Sequence, residues 1–186
     1  DSFVKETLAL YFTDSFVSDK PLKYNSGEWL QVATCEPNGR AEVGFVGRVL
    51  LNAFNALEYG ERNSRDDLTG NSRAVFNSYL EGGFSPNGFF REFVNFDNHS
   101  ETDVYSIRRQ SEGIYAMLHF LQYEKNNGRT HVEWEGKIQR ILEQFLLLQQ
   151  EDGSFPRKFR DDLSLVDSTG GSTPSATLPL VMAYTY

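Results

Sequence analysis

One segment of the chain occurs twice, and the repetition limits the folds open to it. Tyr79-Leu80 runs on to Asn87-Gly88-Phe89-Phe90-Arg91-Glu92-Phe93, and Phe145-Leu146 runs on to Asp152-Gly153-Ser154-Phe155-Pro156-Arg157-Lys158-Phe159. In both, an apolar stretch with helical spacing ends in an Asn-Gly or Asp-Gly turn, followed by aromatic residues, a basic residue and Phe. A weaker copy of the turn is Pro37-Asn38-Gly39-Arg40. The turns lie roughly 50 to 65 residues apart, the period of a repeated helical hairpin. Turn chemistry and packing account for the motif without any function. Asn-Gly and Asp-Gly supply the positive φ that a sharp reversal needs, and the aromatic that follows can plug the gap between adjacent hairpins.

Helical periodicity fills the intervals between turns. Val4, Leu8, Tyr11 and Phe12 give an amphipathic helix over Val4 to Val17, and a polar loop from Ser18 to Gly39 carries Trp29. Glu42 to Tyr59 is strongly apolar and reads as an inner, buried helix; the charged break from Gly60 to Thr69 leads to a returning helix over Asn71 to Leu80. Ser100-Glu101-Thr102-Asp103 is close to a capping box, with Asp in place of Glu or Gln, and predicts a helix from Thr102 to about Glu124. Asn126-Asn127-Gly128 ends it, and Val132 to Gln150 returns. Ser172-Thr173-Pro174 places a hydroxyl cap before a first-turn proline and opens a helix still apolar at Tyr184. The expected fold is all-α, roughly six helices in three pairs. An N-terminal helix and long loop occupy 1–41, hairpins occupy 42–99 and 100–171, and 172–186 starts the next.

Composition narrows the partners. The chain has 186 residues and a net charge of −8, which argues against nucleic acid or an anionic membrane, because phosphate-binding surfaces concentrate Lys and Arg. No run approaches the length of a membrane span, and the start at Asp1 without Met or a leader suggests a processed or excised chain. The compartment stays open, since one cysteine, Cys35, excludes only an internal disulfide framework. His99, His119 and His131 lack metal-ligand spacing, and no phosphate-binding glycine loop or serine nucleophile elbow occurs, so no metal and no cofactor are expected.

Phe145-Leu146, Gln150, Gly153 and Phe155 follow a spacing that is similar to the repeat motif of terpene cyclases, which ends in Trp. The Asp-rich ionisation motif of those enzymes is missing, and the first copy departs from the pattern at Phe84, where Gln would stand. Asp-Gly-aromatic turns between hairpins also resemble those of α/α toroids, which include six-hairpin glycoside hydrolases, sugar epimerases and some polysaccharide lyases. The resemblance covers about Glu42 to Tyr186. It implies helical hairpins of an α/α toroid, and at this spacing a partial barrel, because a closed ring takes about twice this much chain. The rest would come from a longer chain or a second copy. It also implies that substrate sits at the end of the ring where the loops Asn38 to Glu42, Asn87 to Asp103 and Asp152 to Thr173 gather.

The helix expected from Thr102 carries Tyr105, Arg108, Glu112, Tyr115 and His119 at steps of three or four, opposite an apolar face of Ile107, Ile114, Leu118 and Leu121. With both faces buried, the polar one lines a lumen. The alternative is an exposed face held by an Arg108–Glu112 pair. Glycoside hydrolysis needs two carboxyl groups, and Glu42, Asp103 and Glu112 are the candidates; for Glu42 and Asp103 a helix-capping role competes. Arg48, near Glu42, and Arg157 are candidate substrate contacts, the latter because Arg157, Lys158 and Arg160 can recognise an acidic sugar such as a uronic acid, unless Asp161 and Asp162 simply neutralise them. Trp29 is a candidate sugar platform, whereas Trp134, inside an apolar helix, reads as packing. The expected activity is a glycoside hydrolase on an oligosaccharide. The alternatives are an epimerase or lyase using His119 or Tyr105 for proton transfer, and a non-catalytic helical-repeat binder.

Overall fold

The two copies of the turn follow one backbone path. Gly88 and Gly153 take φ of 96° and 83°, a region that side chains with a Cβ disfavour. Each donates its N–H across 2.9 Å to the carbonyl three residues back, Ser85 and Gln150 respectively. Each of those residues donates in turn, across 2.8 Å, to the carbonyl just past the glycine, of Phe89 and Ser154. The following aromatic is fixed alike: the N–H of Phe90 donates to Gln110 Oε1, and that of Phe155 to Thr173 Oγ1, both at 2.9 Å.

The computed structural model describes residues 3, 6, 23, 40–41, 48–95 and 98–186. Its helices are α1 (Arg48–Asn63), α2 (Asp66–Gly82), α3 (Ile107–Asn126), α4 (Val132–Leu148) and α5 (Thr173–Thr185). α3 packs against both α1 and α5, while α2 lies against α1 and α4 against α3. Ile107, Ile114, Leu118 and Leu121 are buried on α3, as their spacing predicts, and the ring of Phe120 stacks on that of Phe76 from α2 at 3.9 Å. Trp134 is buried beside Phe84, centroids 5.6 Å apart, so it packs. No helix among the described residues is long and apolar enough to cross a membrane.

Helix boundaries differ from the sequence reading in informative ways. α1 is described from Arg48 and runs through the charged stretch to Asn63, and α2 resumes at Asp66, while the start expected at Glu42 lies outside the described residues. The expected helix over Val4 to Val17 lies outside the described residues except Glu6, which is helical. The segments leading into α3 and α5 are short β-ribbons, an element the periodicity does not reveal. One ribbon joins β1 (Arg40–Ala41), β2 (Val94–Asn95) and β3 (Ser100–Glu101); the other joins β4 (Val104–Ser106), β5 (Lys158–Arg160) and β6 (Leu165–Asp167), all antiparallel.

The expected capping box at Ser100 is therefore not one. Ser106 is the cap, its side chain accepting from the N–H of Arg109 at 3.1 Å, and Thr102 Oγ1 accepts from the N–H of Val104 in a local turn. Tyr105 faces Phe159 across the β4–β5 ladder and belongs to a strand, not to the helix. Strand pairing wins because Phe159 is fully buried between Phe89, 4.9 Å away, and Tyr105, 6.0 Å away.

Turn and helix meet at Gly113, where α3 passes the buried ring of Phe90. A Cβ there would fall 2.8 Å from Phe90 Cδ2. Gly113→Ala is expected to cost about 1–3 kcal/mol through overpacking, despite alanine's better helix propensity. Urea unfolding checks it: the midpoint falls while the slope stays constant.

Candidate active site

The end of the molecule where both turns arrive holds a pocket of about 710 Å³. Its lining comes from the first turn (Glu92, Phe93), the ribbons (Thr102, Val104, Tyr105, Lys158), the start of α3 (Ser106, Arg108, Arg109, Glu112), the second turn (Arg157) and the start of α5 (Gly171, Ser172, Ser175). The pocket thus covers the N-terminal ends of two helices, the ends at which the helix dipole carries partial positive charge. Four cations and two carboxyl groups line it. That surplus is local, on a chain of net charge −8. Such a site suits an anionic ligand.

Glu92 is the most enclosed of these groups. It is 2% exposed; Oε1 accepts from the N–H of Ser106 at 2.7 Å and from Gln110 Nε2 at 3.2 Å, and Arg109 Nη1 lies 3.5 Å from Oε2. Gln110, itself fully buried, also donates Nε2 to the Phe90 carbonyl at 2.8 Å, which locks turn, carboxyl and helix together. Burial pushes the Glu92 carboxyl up to about 7, against the pull of the Ser106 N–H, Gln110 and Arg109.

Glu112 sits one turn further along α3 and accepts from Arg108 Nε at 3.0 Å. Its other oxygen is buried and has no hydrogen-bond partner among the described residues, although it belongs to a pocket-lining side chain. A buried acceptor without a partner is rare, and this one belongs to a side chain that lines the pocket. The Arg108–Glu112 pair is thus neither deep in a lumen nor fully solvated: Arg108 is 63% and Glu112 24% exposed, and both line the pocket.

The pocket gathers four of the sequence-predicted residues, Tyr105, Arg108, Glu112 and Arg157. Burial pushes the Tyr105 phenol up to about 12, so it stays protonated at neutral pH. Arg157 projects between solvent and Asp167, 3.5 Å from its carboxylate. Tyr115 and His119 are not among the lining residues. They meet edge to face at 4.5 Å, and His119 stacks on Phe54 of α1 at 6.0 Å. Asp103, read as a first-turn residue, stands on the strand connection, 70% exposed and paired with Arg160, also outside the lining. Asp161 braces the first turn, accepting from the N–H of Asn87 at 3.3 Å. Glu42, Trp29 and the side chain of Arg48 lie outside the described residues.

Sequence reasoning missed Glu92 and Arg109. A signal for Glu92 was present: it stands four residues after Gly88, as Arg157 stands four after Gly153, and both turns deliver that position to the pocket. Arg109 carries no such mark, since a helical-face argument excludes the neighbour of Arg108. It reaches the pocket only because the first turn of α3 lies against it. Among the described residues no group of three His, Cys, Asp or Glu side chains could hold a metal ion.

No family model matches the chain, and no curated protein matches it in sequence. Solved structures do match in fold. An unsaturated glucuronyl hydrolase from Bacillus sp. GL1 aligns over 100% of this chain and 50% of its own, with a TM-score of 0.69 and 15% identity. A sugar epimerase from a ruminal bacterium aligns over 96% of this chain and 46% of its own, also at 0.69, with 19% identity. A D-mannose isomerase aligns over 100% and 49%, at 0.60 and 12%. The chain spans about half the length of these structures. The likeness is one of architecture: helical hairpins of an α/α toroid, of which this chain forms a partial barrel.

Proposed function

We infer that the chain supplies one wall of the active site of a carbohydrate-active enzyme, a glycoside hydrolase acting on an oligosaccharide that ends in an acidic sugar. The observation that carries this is the pocket itself, in which carboxyl groups from Glu92 and Glu112 stand among Arg108, Arg109, Arg157 and Lys158. Two carboxyl groups are what hydrolysis of a glycosidic bond requires, and Arg side chains grip a carboxylate with two parallel hydrogen bonds. A glucuronyl hydrolase among the structures of like fold supports the same substrate class. Leu178, Val181 and Tyr184 are exposed on α5, an apolar surface that a further helix, from a longer chain or a second copy, would cover to complete the barrel.

An epimerase is the second reading, favoured by a sugar epimerase that matches the fold equally well. Tyr105 would be its proton donor within the pocket, whereas His119, on α3, is held against Phe54 of α1 and is not among the lining residues. Incubating the intact protein with uronic-acid-terminated and neutral oligosaccharides, with products read by mass spectrometry, separates the readings. Cleavage adds water across the bond and splits the mass; epimerisation leaves mass unchanged and alters only retention. Binding without either change supports a glycan-binding domain.

Arg157→Ala is expected to weaken binding of the acidic oligosaccharide by about tenfold or more, the equivalent of one charge-assisted hydrogen-bonded contact. The neutral analogue should bind unchanged. Titration calorimetry on both ligands checks the difference, and equal weakening of the two would remove Arg157 from acid recognition.

A further inference from the structure

The geometry points to Glu92 as the proton donor of the pocket, the group that hands a proton to the glycosidic oxygen as the bond breaks. This rests on the hydrolase reading above and names a residue for one of its two carboxyl roles. The first turn, built like the second, places the residue four beyond its glycine on the pocket wall. In the second copy that residue is Arg157, suited to grip an acid; in the first it is Glu92, suited to give a proton. Glu92 is 2% exposed, and its Oε1 is taken by the Ser106 N–H and by Gln110, which leaves Oε2 beside Arg109 as the oxygen able to carry a hydrogen. Burial holds its carboxyl at about 7, near neutral pH, where a general acid works best.

The step balances with water as the only co-reactant. Glu92 gives its proton to the leaving oxygen while the bond from that oxygen to the anomeric carbon breaks. A water oxygen bonds to that carbon and yields a proton to Glu112, the carboxylate partnered by Arg108. Exchange with solvent then removes the proton from Glu112 and returns one to Glu92. The charged and titratable groups facing Glu92 are Arg109 from α3, Tyr105 from β4, and Arg108, Glu112, Arg157 and Lys158 across the pocket. Arg side chains stay charged, and Tyr105 is held up to about 12, so neither changes charge between pH 6 and 8.

The test compares Glu92→Gln with wild type on phenyl and dinitrophenyl glycosides of glucuronic acid, in both anomeric forms, using the intact protein. Dinitrophenolate leaves without a proton, so the variant should lose about 10²–10⁴-fold on the phenyl glycoside and less than about tenfold on the dinitrophenyl one. Wild-type kcat/KM on the phenyl glycoside should fall as pH rises through about 7, a limb that the variant lacks. Isotope-edited NMR of glutamate carboxyls in the wild type gives a readout independent of the variant's folding: one carboxyl should titrate near 7. The variant should melt at or above the wild-type temperature at pH 8, where the folded wild type bears a buried charge. Equal losses on the two glycosides, or no carboxyl titrating near neutrality, overturn the donor role while the hydrolase reading stands. A wild type that cleaves neither glycoside overturns the hydrolase reading, and this role with it.

Discussion

Glu124→Ala should destabilise the fold by about 3–5 kcal/mol, the cost of removing one partner from a buried ion network. Glu124 lies near the C-terminal end of α3, the end away from the pocket, with its side chain fully buried. Oε1 accepts from Arg129 Nε at 2.9 Å; Oε2 accepts from Arg73 Nη1 at 3.2 Å and lies 2.7 Å from His131 Nε2. Glu61 from α1 completes the group, accepting from Arg73 at 2.7 Å, Arg129 at 2.9 Å and the Tyr123 hydroxyl at 2.7 Å. The network thus ties α1, α2, α3 and the turn before α4. Without Glu124, two guanidinium groups share the single carboxylate of Glu61, and a cavity lined by polar groups remains. Chemical denaturation measures the loss, and a change under 1 kcal/mol would mean that water satisfies both arginines without help.

The same network sets an acid limb of stability. Burial alone would raise the Glu124 carboxyl, but hydrogen bonds from Arg129, His131 and Arg73 outweigh it and hold the group at about 2, against an ordinary 4.5. With the folded-state value below the unfolded one, stability rises with pH wherever the unfolded chain binds more protons. The contribution, about 3 kcal/mol, is therefore complete above pH 4.5 and is lost as pH falls toward 2. Glu124→Gln isolates it: its deficit relative to wild type should shrink across that window. A deficit that stays constant down to pH 2 would rule out proton linkage as the source.

What the sequence reveals here follows from how far each interaction reaches along the chain. The turns at Gly88 and Gly153 are local, and their residues dictate the positive φ that both adopt. The buried face of α3 is nearly as local: Ile107, Ile114, Leu118 and Leu121 repeat with the helix. The ribbons are not, because strands of two or three residues are too short to show alternation, and Tyr105 pairs with Phe159 across the second turn. That pairing displaced the start of α3 and with it the role expected of Asp103. The Arg73–Glu124 contact joins residues 51 apart, and nothing in either neighbourhood announces it. Glu92 falls between these cases: its position is local to the turn, but its burial depends on Ser106 and Gln110, which lie beyond the ribbon.

Glu112→Gln should lower turnover by about 10²–10⁴-fold while leaving the fold intact, if Glu112 is the carboxylate that draws a proton from water. The two effects separate because of where the residue sits. Among the described residues its Oε1 bonds to Arg108 alone, which is 63% exposed and keeps its hydration when the partner changes, so such a pair contributes little to stability. Its Oε2 is buried and has no partner among the described residues, and glutamine replaces the carboxylate with a group that cannot take a proton. Unlike the Glu92 variant, this one should lose the same factor on phenyl and dinitrophenyl glycosides, since activation of water does not depend on the leaving group. Asp103→Asn supplies the contrast: exposed, paired with Arg160 and outside the lining, it should retain wild-type turnover. If Asp103→Asn abolished turnover and Glu112→Gln did not, the reacting carboxylate would lie on the strand connection before β4, and the pocket at the start of α3 would serve binding alone.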